Sequence, residues 1–67
     1  MEIYEIDFFL KYSGIYKEQI NVKNEEELHK QIRDLLYGES KVYLSRENRI
    51  YIPVSNIDYI RYKKIGD

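Results

Sequence analysis

The stretch KVYLSRENRIYIP, residues 41–53, carries matching residue types on either side of Glu47. Reading outward from Glu47 gives the pairs Ser45/Arg49, Leu44/Ile50, Tyr43/Tyr51 and Val42/Ile52. This symmetry is typical of a β-hairpin, because residues directly opposite each other on two strands share one face. A turn of three residues, 46–48, produces the alignment and puts Asn48 in the left-handed conformation that asparagine tolerates. We therefore predict a hairpin that buries its four aliphatic residues and exposes the pair of tyrosines.

A second hairpin is predicted near the N-terminus. From residue 4 to residue 12 apolar and polar residues alternate, which is the period of a half-buried strand, and only Phe9 interrupts the polar face. A three-residue turn over 13–15 would then match Phe8 with Ile20. The same register places Glu18 opposite Leu10. A carboxylate at such a position is either a functional acid with a raised pKa or a group in water at the sheet margin.

One helix is predicted between the two hairpins. Asn24 and Glu27 have the spacing of a capping box, and three acidic residues in the first turn complement the helix dipole. An apolar stripe at helical spacing follows, formed by Leu28, Ile32, Leu35 and Leu36. The helix is expected to begin at about Glu25 and to end at Tyr37, with Gly38 as a left-handed cap.

The remaining chain predicts the fold class. Pro53 ends a strand because it lacks the N–H needed for a ladder, a turn is expected near Ser55 and Asn56, and a last strand over 58–63. The order β-β-α-β-β-β indicates a single small α+β domain, residues 1–67, with one helix packed on a largely antiparallel sheet.

Composition excludes several kinds of site. The chain has 67 residues, no cysteine and one histidine, so it has neither a disulfide framework nor the ligands of a structural zinc centre. We expect no cofactor. A chain this short has a thin stability margin, and self-association is the reinforcement left to it. Without a long apolar run or a basic leader, we expect a cytoplasmic protein that does not enter a membrane.

The residues that carry chemistry do not predict an enzyme. His29 has Glu25 and Arg33 one turn away on either side, but no serine or cysteine is placed beside it, so a solvated histidine is the simpler interpretation. Consecutive acids at 25–27 point in different directions and suit the helix N-terminus better than a metal. No glycine-rich phosphate loop is present.

Aromatic and cationic residues on the strands predict a contact surface instead. Tyrosine and arginine concentrate binding energy at protein interfaces, and an aromatic on a polar strand face needs either a partner or a covering segment of the same chain. The candidate partner-binding residues are Phe9, Tyr43, Arg46, Arg49, Tyr51, Tyr59, Arg61 and Tyr62.

Two functions are consistent with this surface. The first is a small regulatory module that binds a protein partner or a second copy of itself. In size and in its AT-biased composition the chain is similar to accessory proteins of phages and mobile elements. The second is nucleic-acid binding, since tyrosines interleaved with Arg and Lys can stack bases and hold phosphates. A net charge of −1 favours the first.

Overall fold

The computed structural model describes residues 1–45 and 47–67. Its elements are β1 (Glu2–Leu10), β2 (Gly14–Val22), α1 (Glu25–Tyr37), β3 (Val42–Ser45), β4 (Ile50–Pro53), a 3-10 turn (Val54–Asn56) and β5 (Ile57–Gly66). The predicted α+β class and the order of its elements are confirmed. The last strand is longer than the predicted range of 58–63, and the predicted turn at Ser55 and Asn56 is the 3-10 turn.

The strands form two antiparallel sheets. The order in the larger sheet is β2-β1-β5, so β1 is central, and β3 pairs with β4 in the smaller sheet. One face of β1 carries Tyr4, Ile6 and Phe8, all buried. Helix α1 and the β3–β4 hairpin cover this inner face together, with Leu28 and Ile52 in the core. The opposite face of the larger sheet has no covering layer among the described residues and is called the outer sheet face below.

The N-terminal end of helix α1 agrees with the sequence prediction, whereas its C-terminal end does not. The side chain of Asn24 accepts a hydrogen bond from the Glu27 N–H at 2.9 Å, and the helix begins at Glu25. At the C-terminal end Gly38 has φ −82°, so the predicted left-handed cap is wrong. Glycine is needed there for a steric reason, because a Cβ on Gly38 would overlap the backbone carbonyl oxygen of Asp34.

The first hairpin has a different register from the predicted one. Phe8 lies opposite Tyr16 instead of Ile20, and the turn comprises residues 11–13 instead of 13–15. Gly14 takes φ 86°, so the left-handed position falls where the turn ends rather than in its middle. The shift moves each partner by four positions and preserves the faces, so the predicted core residues of β1 remain inside. Glu18 now lies opposite Ile6.

The second hairpin contradicts the predicted three-residue turn. Tyr43 pairs with Ile52 and Ser45 pairs with Ile50, so four positions instead of three separate the two strands, and the structure describes 47–49 of them as turn. The left-handed residue is Arg49, with φ 56°, rather than Asn48. A change of one position in the register of a strand moves each of its side chains to the opposite face of the sheet. On β3 it turns Tyr43 toward the core and leaves Val42 and Leu44 exposed.

A membrane-spanning helix was not expected. Among the described residues, no helix combines the length and the apolar character that crossing a bilayer requires.

Candidate contact surface

The outward face of the β3–β4 hairpin is apolar. Leu44 and Tyr51 lie opposite each other and are 41% and 72% exposed, and Val42, 45% exposed, lies opposite the exposed Pro53. These four residues, Val42, Leu44, Tyr51 and Pro53, form two adjacent cross-strand pairs and are called the hairpin patch. No charged residue occupies an outward position on either strand. Adjacent exposed apolar side chains of this kind mark contact sites more often than single exposed ones do.

Contacts with residues on the larger sheet explain why Val42 and Leu44 lie on the outward face of β3. The ring of Tyr43 packs against the ring of Phe8 with 4.9 Å between centroids, which is a favourable aromatic distance. Ser45 is buried, and its hydroxyl donates a hydrogen bond of 2.6 Å to Glu18. Turning β3 over to bury Val42 and Leu44 would lose both contacts. The aliphatic residues of β3 are therefore outside although hydropathy alone predicts them inside.

Glu18 belongs to a polar cluster that joins β2 to the hairpin. Its Oε1 atom accepts the bond from Ser45, and the Tyr16 hydroxyl lies 3.5 Å from the same oxygen. The side chain of Asn48 donates to the Tyr16 hydroxyl at 2.6 Å, and the Asn48 N–H reaches Ser45 at 3.4 Å. In the described part of the chain, Glu18 Oε2 is buried without a hydrogen-bond partner. The cluster fixes the orientation of the hairpin against the larger sheet.

A second group of aromatic residues lies on the outer sheet face. Phe9 and Tyr59 are cross-strand neighbours whose rings stack with 4.3 Å between centroids, and the Arg61 guanidinium lies 5.2 Å from the Phe9 ring centroid. Ile15 lies opposite Phe9 on its other side and is 52% exposed. Strand β5 therefore covers part of Phe9. This agrees with the expectation that a segment of the same chain covers the ring. Tyr59 itself stays 56% exposed.

The charges of the outer sheet face pair with one another. Asp7 is almost fully buried, receives two hydrogen bonds from Arg61 at 2.9 and 3.2 Å, and lies 3.8 Å from Lys17 Nζ. Glu5 lies within 4.0 Å of both Lys17 and Lys63. The carboxylates lie on the central strand β1, and the cations lie on the neighbouring strands β2 and β5. Most of the positive charge of this face is therefore paired with a carboxylate of the same chain.

His29 takes part in a cluster between α1 and β5. Its Nε2 atom lies 2.6 Å from the Tyr62 hydroxyl and 3.3 Å from a Glu25 carboxylate oxygen, which itself lies 3.4 Å from that hydroxyl. The Tyr62 ring also meets the Tyr4 ring edge-on.

Tyr4 has a raised pKa. Burial of its side chain raises the pKa most, and the carboxylate of Glu2, which accepts a hydrogen bond from the Tyr4 hydroxyl at 2.9 Å, raises it further.

The two candidate catalytic groups have separate partners. Glu18 bonds to the hairpin, whereas His29 bonds across to β5, so the structure does not bring them together. No three His, Cys, Asp or Glu side chains within residues 1–45 and 47–67 are grouped closely enough to hold a metal ion. A small, partly open pocket of about 60 Å³ lies between α1 and the inner face of the larger sheet, with Ile32, Phe8 and Tyr43 among its lining residues.

The predicted contact residues therefore separate into several places. Phe9, Tyr59 and Arg61 come together on the outer sheet face. Tyr51 lies on the hairpin patch, and Arg49 is an exposed residue of the turn. Tyr43 was predicted to lie on the exposed face of the hairpin, but it is partly buried and packs against the core from the inner face. Tyr62 points to the inner side, toward His29. Arg46, also predicted, lies outside the described residues.

Three residues of the hairpin patch were missed. Val42 and Leu44 were predicted as core residues, and Pro53 was predicted as the end of a strand. The predicted three-residue turn pairs aliphatic residues with aliphatic residues and therefore buries them together. An alternative signal was present in Ser45: a hydroxyl two positions after Tyr43 shares its face and needs a buried partner, which Glu18 supplies.

Comparison of the chain with protein-family models, with curated proteins and with solved structures gives no match.

Proposed function

We propose that this chain is a small non-enzymatic binding module that acts through protein–protein contact, with the hairpin patch as its contact surface. The observation that supports the proposal most is the pairing of Leu44 with Tyr51 on an outward face without charge. Interfaces are depleted of charge at their centres and enriched in aromatic residues, and this patch has both properties. Lys41 directly precedes β3 and Arg49 directly precedes β4, and both are exposed, so charged residues lie next to the patch along the chain, as in the polar rim of such interfaces.

The contrast between the two uncovered faces supports the same choice. The outer sheet face carries paired charges whose partners are already within 4.0 Å, as expected for a face in water. The hairpin patch has no such pairs. Removing it from water is therefore favourable by the burial of apolar area alone, with no charge to desolvate.

Affinity capture with matched bait variants tests this function. Immobilised wild type, Leu44→Glu, Tyr51→Ser and Tyr37→Ser would be exposed to a lysate of the native host, and the captured proteins identified by mass spectrometry. Tyr37 is the control, because it is as exposed as Tyr51 but lies at the end of the helix. We expect one protein captured by wild type and by Tyr37→Ser and lost from the two hairpin variants. The same capture by all four baits would contradict the proposal.

Nucleic-acid binding is the second candidate, and the stacked rings of Phe9 and Tyr59 are the observation in its favour. Aromatic rings on an open antiparallel sheet can stack bases, and Arg61, Lys17 and Lys63 lie nearby. The central carboxylates of Glu5 and Asp7 count against it, because they repel phosphate and already neutralise these cations.

Fluorescence anisotropy separates the two candidates. A labelled single-stranded oligonucleotide would be titrated with protein at low salt and again with salt added, since phosphate contacts weaken steeply as ionic strength rises. We expect no binding. Binding that disappears with salt and with Tyr59→Ser, but persists in Tyr37→Ser, would replace protein contact as the function.

A further inference from the structure

We propose that the free edge of β5 is a second contact site, which binds an extended acidic segment of another protein as a fourth strand of the larger sheet. The site is separate from the hairpin patch, so the inference does not rest on the proposed function. Strand β5 is an edge strand, because the order in the larger sheet is β2-β1-β5. An antiparallel edge strand directs the N–H and C=O groups of alternate residues away from the sheet, where an extended chain can pair with them.

The regular part of this edge comprises six residues, 59–64. These residues pair with β1 in one register, whereas Asp58 and Ile65 have no partner on β1 and form an irregularity at each end. In the described part of the chain, none of the backbone hydrogen bonds outside the helix and the strand ladders involves residues 59–64. A partner strand of ordinary length therefore has a regular, unoccupied ladder available to it.

The opposite edge of the sheet, on β2, is not open in the same way. The Glu18 side chain of β2 accepts a hydrogen bond from Ser45 of the hairpin, and Glu47 of the turn lines clefts together with Gln19 of β2. The hairpin therefore lies beside β2. On β5, by contrast, every residue of 59–64 except Ile60 is exposed.

The cations of β5 leave its edge accessible. Charged side chains protect an edge when they extend across it, and lysine is the usual choice. Here each cation of residues 59–64 contacts a carboxylate of β1, at 2.9 to 3.7 Å: Arg61 with Asp7, Lys63 with Glu5 and Lys64 with Glu2. Lys64 also lies 2.7 Å from Asp67. Because β1 is on the other side of β5 from the free edge, these contacts draw the cations away from the edge.

A second copy of β5 does not fit this edge. Opposite residues in a continuous antiparallel sheet share a face, so a two-fold axis must pass through a residue and not between two residues. An axis at Arg61 pairs residues 59–63 and sets Arg61 against Arg61. An axis at Tyr62 pairs residues 60–64 and sets Arg61 against Lys63. Like charges directly opposite each other destabilise a sheet, so we infer that the occupant is a segment of another protein.

The charges beside the edge predict an acidic occupant. On the outer sheet face three cations, Lys17, Arg61 and Lys63, share the two carboxylates Glu5 and Asp7. One positive charge is therefore in excess. The side chains of Arg61 and Lys63 are 64% and 67% exposed, so carboxylates on an added strand can reach them.

Strand β1 shows which residue types suit the outer face of β5. It places Glu5 opposite Lys63, Asp7 opposite Arg61 and Phe9 opposite Tyr59. An occupant that runs in the direction of β1 on the other side of β5 has the same three residues as neighbours. We expect it to carry the same alternation, with two acidic residues followed by an aromatic one at every second position.

A capped peptide of sequence Thr-Glu-Thr-Asp-Thr-Phe-Thr is the probe, with threonine between the outer positions because it favours strands. Isotope-labelled wild type would be titrated with it at low salt and followed by nuclear magnetic resonance. We expect the amide shifts of residues 59–64 to change and those of β2 to stay. The variant Leu44→Glu should bind the peptide as wild type does, because the hairpin patch is a different surface.

Methylation of the peptide nitrogens tests the backbone pairing itself. An added strand pairs with β5 along one side only, so one set of alternate nitrogens faces β5 and the other faces water. We expect the version methylated on one set to lose binding and the version methylated on the other set to keep it. Equal effects of the two sets would show that the peptide does not join the sheet.

Exchange of charge tests the acidic preference. A peptide with lysine at both acidic positions should bind about tenfold more weakly, because it sets like charges opposite Arg61 and Lys63. Lys63→Glu should reduce this difference, and Lys30→Glu should preserve it, since Lys30 is exposed on the helix and undergoes the same change of charge. Circular dichroism checks that both variants are folded.

Three results would overturn the inference: no change at residues 59–64 with millimolar peptide, equal effects of the two methylated sets, or equal affinity for the acidic and basic peptides. None of them affects the proposed function, because capture through the hairpin patch depends on Leu44 and Tyr51 and is measured separately.

Discussion

Two residues with left-handed backbone determine where the hairpin turns end. Gly14 has φ 86° and Arg49 has φ 56°, and each lies at the end of its turn. Glycine takes this conformation at no steric cost, whereas for other L-residues it costs roughly 1 to 2 kcal/mol. Arg49 therefore carries strain that Gly14 does not. Asn48 was predicted for this role because it would end a three-residue turn and because asparagine tolerates the conformation. In the observed register the turn ends one residue later, at Arg49.

Replacing Arg49 by glycine should stabilise the protein. Relief of the left-handed strain predicts a gain of about 1 kcal/mol in the free energy of unfolding, measured by urea denaturation. Asn48→Gly is the comparison, and it should destabilise, because it removes the hydrogen bond to Tyr16. Stabilisation by Asn48→Gly instead of Arg49→Gly would indicate the three-residue turn.

Tyr4 predicts a loss of stability at alkaline pH. Its pKa in the folded chain lies above the ordinary value of 10.0, first because it is buried and second because Glu2 accepts its hydroxyl. The folded chain therefore holds this proton at pH values where the unfolded chain releases it. The stabilisation is fully present below the unfolded value and is lost as pH rises through the folded value.

The Tyr4→Phe variant isolates this effect. The difference in free energy of unfolding between wild type and Tyr4→Phe should shrink or change sign as pH rises above about 10. Urea denaturation at a series of pH values measures it, and the absorbance of tyrosinate reports the titration. A difference that does not change with pH would show that Tyr4 titrates alike in the folded and unfolded chains.

At the scale of elements, local signals predicted the helix well and one strand badly. The cap at Asn24 and the apolar stripe are contained within fourteen neighbouring positions, so the sequence alone locates α1. The faces of β1 follow from its alternation, even though its register with β2 was predicted wrongly. Strand β3 has four residues and is decided by Phe8 and Glu18, which lie far away in the chain. No local pattern contains those contacts.

The two hairpin tyrosines should differ sharply in their effect on stability. Tyr43→Ala removes a ring that packs on Phe8 and should cost about 2 to 3 kcal/mol, somewhat less than for a fully buried aromatic residue. Tyr51→Ala removes an exposed ring and should cost less than about 0.5 kcal/mol. Urea denaturation measures both. Equal and small costs would mean that the tyrosines pair on the exposed face.

The molecule has a sheet face whose charged residues pair with one another, although Asp7 Oδ1 has no hydrogen-bond partner in the described part of the chain, and a hairpin face that is apolar and exposed. Ion pairs on the larger sheet leave little for a partner to satisfy, whereas the hairpin patch gains free energy from any cover that excludes water. The sequence predicted the hairpin as a contact element with Tyr51 on its exposed face, and Tyr51 is indeed exposed. It could not supply Val42 and Leu44, because the face on which they lie depends on how the hairpin docks.

The register of the β3–β4 hairpin is the claim on which the contact surface depends, and nuclear Overhauser contacts between its side chains test it most directly. We predict contacts of the Tyr43 ring with the Phe8 ring and with Ile52, and of the Tyr51 ring with the Leu44 methyl groups. Contacts between the rings of Tyr43 and Tyr51, together with contacts between Leu44 and Ile50, would contradict the register and remove the hairpin patch.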